Sequence, residues 1–307
     1  MAGHDDARSL DALLNDGWGC HDDESDRLAR ELEAAAGEGI APGLLVSFLH
    51  LTTHTVGEHL GDWPRALAVG KRALEGRMPD SATAKAWGRL HVAAVLAGDF
   101  VEAAVAEIAY LKAAGDDFGA ALLDMRFMLA EALVGAKRPH EGARIYRGAL
   151  DLVGQVRPSA LLDRTIAVAS NNLGWELYEM ASRGADEDAL MRLCAETSLA
   201  FWLTCGTWIN AERGYYLNAL VANVTGDPAS GLAHADAALA IIAANGERPL
   251  DAALLHLARA VSFAALGDAN GRAHAIGDAD AAAVKLAATD LKAQFAAERA
   301  KVVGAVR

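Results

Sequence analysis

The dipeptide Gly-Asp recurs directly behind apolar segments of helical spacing, at Gly61-Asp62-Trp63, Gly98-Asp99-Phe100, Gly226-Asp227-Pro228 and Gly267-Asp268-Ala269. Glycine accepts the left-handed conformation that ends a helix, and an aspartate side chain caps the free N–H groups of the next one. Each pair therefore reads as a stop followed by a start. The first two pairs stand 37 residues apart and the last two 41, with 128 residues between them, room for about three periods of 43. A row of antiparallel helical hairpins follows, none able to bury its apolar face alone. Alanine, the best helix former, supplies 69 of the 307 residues and only seven prolines interrupt them, which excludes an all-β fold.

Around the second turn the helical pattern is explicit. Trp87, Leu90 and Ala94 lie at i, i+3 and i+7 before Gly98. Behind it a second helix starts near Ala103, and its apolar stripe is predicted to run Val105, Ile108 and Leu111.

These residues resemble the tetratricopeptide repeat family. That family carries an aromatic and then a leucine on the first helix, Gly-Asp-aromatic at the turn, and small residues on the second helix. Trp87, Leu90, Gly98, Asp99, Phe100 and Ala103 match, as do Gly61, Asp62, Trp63, Ala66, Ala73 and Leu74. Leu129, Ala130, Gly142, Tyr146, Ala149 and Leu150 fit a third copy whose turn, Ala136-Lys137-Arg138-Pro139, lacks Gly-Asp. Leu173-Gly174 marks a fourth, with a lengthened turn near Ser182 to Asp188, and Tyr215, Ala219, Gly226, Asp227, Ala238 and Leu239 a fifth. Phe263, Gly267 and Asp268 mark a sixth, where Arg272 stands at a position expected to be small. The resemblance implies an all-α, right-handed superhelix of about six hairpins over residues 44–280. Small residues at the crossings would let the helices approach closely.

Terminal segments complete the array. Residues 1–43 read as an acidic helical cap, with short helices over 5–15 and 22–36, the second helped at its positive end by Asp22-Asp23-Glu24. Residues 281–307 read as a closing helix with the stripe Val284, Ala288, Leu291, Phe295, Val302 and Val306, which could alternatively meet a partner or form a homodimer.

Forty-one acidic against 28 basic residues give a net charge of −13, of which −8 lies in residues 1–39. That balance argues against nucleic acid, which needs a basic patch. The longest uncharged run, residues 40–57, holds Pro42, Ser47, His50, Thr52, Thr53, His54 and Thr55 and is too polar to span a membrane. A polar, acidic start without a secretory pattern, and Cys20, Cys194 and Cys205 without CxxC spacing, predict a cytoplasmic protein with reduced thiols.

No catalytic signature stands out, and no enzyme or cofactor is predicted. His50, His54 and Glu58, at i, i+4 and i+8, share one face of an ideal helix and could hold a metal, but no fourth ligand is identifiable. His91 occupies in the next repeat the place of His54, which favours packing, so no metal is assigned. Asp116, Asp117 and Asp124 lack DDxxD spacing and read as a polar turn.

A binding surface remains. The resemblance implies that first helices line a concave groove for a protein or peptide. Asn171, Trp175 and Tyr178 would form one face, and Tyr216, Leu220 and Asn223 the next, with Arg213 one turn before. Asparagine amides can bind both N–H and C=O of a peptide, and aromatic rings add apolar contact. Packing between repeats, with the amides satisfying buried carbonyls, explains the same residues equally. Earlier repeats would present Thr55, Glu58 and His59, then Phe127 and Glu131. Lys85 and Arg213 are too few and too separated for the family's carboxylate-binding groove. The expected function is thus a non-enzymatic peptide-binding scaffold. The alternative is a regulatory module closing an apolar pocket, lined by Trp175, Tyr178, Trp202 or Trp208, around a small ligand.

Overall fold

All four Gly-Asp pairs end one helix and cap the next. In the computed structural model, which describes residues 9–21, 23–37 and 39–304, Gly61, Gly98, Gly226 and Gly267 have φ between 69° and 84°. The following aspartates accept from the backbone N–H three residues on, at 3.1 Å for Asp62, 3.0 Å for Asp99, 3.1 Å for Asp227 and 2.8 Å for Asp268. Each such cap is worth ~1 kcal/mol. The N–H groups of Asp99, Asp227 and Asp268 reach back to the carbonyls of Ala94, Ala222 and Phe263, each at 2.9 Å, closing the preceding helix.

The third turn has the same geometry with other residues. Lys137 takes the left-handed conformation (φ 61°), and Arg138 N–H donates to the Leu133 carbonyl at 2.8 Å. Arg138 then forks onto Glu141 at 2.7 and 2.8 Å. At the lengthened fourth turn Arg183 donates to the carbonyls of Leu177, Tyr178 and Met180, satisfying the end of a helix that no glycine closes.

Every regular element described is helical. They are α1 (Leu10–Cys20), α2 (Ser25–Ala35), α3 (Leu45–Thr52), α4 (Trp63–Leu74), α5 (Ala84–Ala97), α6 (Phe100–Ala114), α7 (Phe118–Gly135) and α8 (Pro139–Leu152). Then come α9 (Ala160–Glu179), α10 (Ala185–Cys205), α11 (Trp208–Val224), α12 (Pro228–Asn245), α13 (Pro249–Ala265), α14 (Ala269–Ala283) and α15 (Thr289–Gly304). The helix expected over 5–15 begins later, because Ser9 Oγ accepts from Ala12 N–H and caps at Leu10. Residues 5–8 and Asp22 lie outside the described residues. No described helix is long and apolar enough to cross a membrane.

The chain divides into two packed units, Met1–Leu161 and Leu162–Arg307. In the first, α3, α5 and α7 lie side by side, each paired with the helix that follows. Phe48, Tyr146 and Phe127 are fully buried there, each worth ~1.5–3 kcal/mol. The face predicted for α6 fails at two of its three positions, while Leu111 packs partly buried against the core. Val105 and Ile108 are 51% and 52% exposed, and Ala103, Ala106 and Ala109, with Tyr110, are buried instead. Small side chains take the inner face because α6 lies close against α5. The Trp87, Leu90 and Ala94 face is buried as expected.

In the second unit α11 packs on α13, and α13 on α14 and α15. Side chains stitch neighbouring helices by binding backbone: Ser198 Oγ donates to Ala167 O at 3.1 Å and Asn218 Nδ2 to Ala195 O at 2.8 Å. Helix α14 forms despite Arg272, burying Ala275 and Ala279 while Arg272 Nη2 donates to Val302 O at 3.1 Å. The closing helix packs Leu291, Phe295 and Val302 among Leu257, Ala253 and Leu286. Val284 precedes that helix and is 84% exposed, so it leaves the predicted stripe; Val306 lies outside the described residues.

Candidate functional site

Helices α9, α11, α13 and α15 of the second unit line a cavity of ≈ 650 Å³ that is open on one side to solvent. Asn171, Trp175 and Tyr178 from α9 and Arg213, Tyr216 and Leu220 from α11 all line it, so six of the seven groove residues singled out from the sequence meet in one place. Helical spacing accounts for this, since i, i+4 and i+7 on α9 face i and i+3 on α11. The Trp175 ring meets Tyr178 edge-on at 5.7 Å between centroids and Tyr216 at 5.9 Å.

Asn223, the seventh, lines an adjoining pocket of ≈ 200 Å³ that shares Tyr178, Tyr216 and Leu220. Its amide is committed to packing: Nδ2 donates to Ala258 O at 3.0 Å and Oδ1 accepts from Ser262 Oγ at 2.7 Å. For this residue the amide serves the contact between α11 and α13. Neither Trp202, buried with the Arg164 guanidinium 5.8 Å from its ring, nor Trp208 lines the cavity.

The sequence pattern missed the acidic character of the site. Glu179, Glu212, Asp251 and Glu298 line the cavity against only Arg213 and Lys301 as cations. Two of these carboxylates are already paired. Asp251 accepts from Arg248 and lies 3.7 Å from Arg213, and Glu298 lies 2.6 Å from Lys301. Glu212 is different. It is 1% exposed and its Oε2 meets no hydrogen-bond donor among the described residues. Burial, and then the Asp251 carboxylate beside it, push its pKa up to about 7. Burial likewise raises the phenols of Tyr178 and Tyr216, which stay neutral hydrogen-bond donors.

The other sequence candidates lie in the first unit. His54 Nδ1 and Glu58 Oε2 are 2.5 Å apart, but His50, half-buried, packs edge-on against the Trp18 ring at 5.0 Å, and burial pushes its pKa down to about 3. The three therefore do not converge. Residues 53–59 form a π-helix, so an α-helical spacing does not describe them. His91 Nδ1 meets the Ala103 carbonyl at 3.0 Å, a packing bond that His54 does not share. Thr55 and Phe127 are buried, Phe127 against Tyr146, and thus present no groove face. Asp116 and Asp117 sit exposed in a turn, and Asp124 accepts from Tyr110 Oη at 2.5 Å within the core.

No protein-family model matches the chain, and none of the curated proteins matches it in sequence.

Proposed function

We propose that this chain is a non-enzymatic, tetratricopeptide-like binding module whose second-unit cavity receives a cationic group of a basic peptide, a lysine side chain or a free amino terminus. The buried Glu212 carboxyl, set beside the Asp251 carboxylate in a pocket lined by three aromatic rings, carries the reading. An ammonium group would offset the penalty of a buried carboxylate and rest against ring faces, a contact worth ~0.5–2 kcal/mol. Arg213 and Lys301 each stand beside a carboxylate, so the four acids of the pocket outnumber its two cations. The thiols of Cys20, Cys194 and Cys205, without CxxC spacing, suit a reducing, cytoplasmic setting.

Matched short peptides carrying a central lysine or norleucine provide the test, followed by tryptophan fluorescence and calorimetry. Lysine peptides are expected to bind at least tenfold more tightly, and Trp175→Ala and Glu212→Gln each to abolish most of that preference. Equal binding of the norleucine peptides would refute the reading. Affinity should rise with pH through about 7 as Glu212 ionises, with a proton released on binding near that pH.

A second reading is a free small amine enclosed alone. The ≈ 650 Å³ volume favours it, lying in the range of small-molecule sites. Competition by a simple alkylamine at micromolar concentration, with no contribution from flanking peptide residues, would select it.

A further inference from the structure

We infer that His21, His54 and His59, in the first unit, form a three-imidazole site for a divalent ion of the zinc class. One ligand-capable atom from each histidine lies within 4.8 Å of those of the other two. His54 Nε2 and His59 Nε2 are 3.1 Å apart, close to the ~3.3 Å between neighbouring donors when Zn–N bonds of about 2.0–2.1 Å are arranged tetrahedrally.

For two of the rings the far nitrogen sets the tautomer. His21 Nδ1 lies 2.8 Å from the Trp18 carbonyl, which can only accept, so Nδ1 carries the proton and Nε2 a lone pair. His54 Nδ1 faces Glu58 Oε2 in the same way, giving the carboxylate–histidine arrangement that orients imidazoles at metal centres. Glu58 is thus a positioning residue and not a ligand.

Two backbone features assemble the site. A π-helix bonds i to i+5, and the Leu60 N–H reaches the Thr55 carbonyl at 3.2 Å; this winding stacks His59 over His54, five residues away, where an α-helix would turn it aside. Gly17 lets α1 lie against α3, since a Cβ there would meet Leu51 Cδ2 at 2.7 Å. That approach carries His21 to the cluster and lays the Trp18 ring 5.3 Å from His54. Imidazole donors suit zinc, copper and nickel rather than magnesium or calcium. Three protein ligands leave a coordination position for solvent or a further ligand.

The test is titration of EDTA-dialysed full-length protein with zinc chloride, by calorimetry and chelator competition. One ion per chain at micromolar zinc is expected. His59→Ala, which removes the exposed ligand, should weaken binding at least tenfold with far-ultraviolet circular dichroism unchanged. Glu58→Gln should weaken it about tenfold through loss of orientation. His274→Ala, at an exposed histidine on α14, should change nothing. Absence of saturable uptake, or uptake unaltered in His59→Ala, overturns the assignment.

Discussion

Lys137 holds a conformation that costs a side-chain-bearing residue ~1–2 kcal/mol, in a turn whose counterparts use glycine. Lys137→Gly is expected to raise stability by up to about 1 kcal/mol, part of the relief being lost to the greater freedom of the unfolded chain. A higher urea midpoint at unchanged slope would show it. Glu212 makes a second residue-scale prediction. Its carboxyl moves from an ordinary value of 4.5 to about 7 on folding, so between these pH values the folded chain holds more protons than the unfolded one. Without ligand, stability should fall as pH rises across that window and level off above it, and Glu212→Gln should flatten the profile. Neither residue was legible beforehand. Lysine carries no left-handed signal, and burial of Glu212 depends on α13, far along the chain. The aspartate caps were legible because donor and acceptor lie three residues apart.

At the scale of elements, legibility followed how local the determinant is. Turn positions, the tryptophan face of α5 and the meeting of α9 with α11 came through periodicity. Helix α6 did not, because alanine satisfies an inner and an outer face alike, so the larger Val105 and Ile108 drew the expectation the wrong way. Ile108→Gln should therefore shift stability by no more than ~0.5 kcal/mol, whereas Ala106→Leu, overpacking the contact with α5, should cost ~1–3 kcal/mol. Thermal unfolding of the two variants distinguishes the faces. The histidines were misread for a related reason: spacing of four assumes α winding, and the π-helix over residues 53–59 replaces His50 with His59. Crowding at Gly57, where a Cβ would sit 2.4 Å from the Trp63 ring, accompanies that wider winding.

For the molecule as a whole, the net charge of −13 bears on encounter with a basic partner. The association rate of a lysine-rich peptide, measured by stopped flow, should fall about tenfold between low and several-hundred-millimolar salt, with a smaller change in dissociation. A rate indifferent to salt would mean that the acidic surface takes no part in capture. The all-helical class was legible from composition and punctuation together, whereas the acidic lining of the cavity was not, because its carboxylates come from four helices. The Gly-Asp turns have one more consequence. Both instructions, halt and restart, sit in adjacent residues, so excising 62–98 would splice Gly61 onto Asp99 and regenerate the same dipeptide at the seam. A chain punctuated in this way can gain or shed a cassette of helices without composing a new junction.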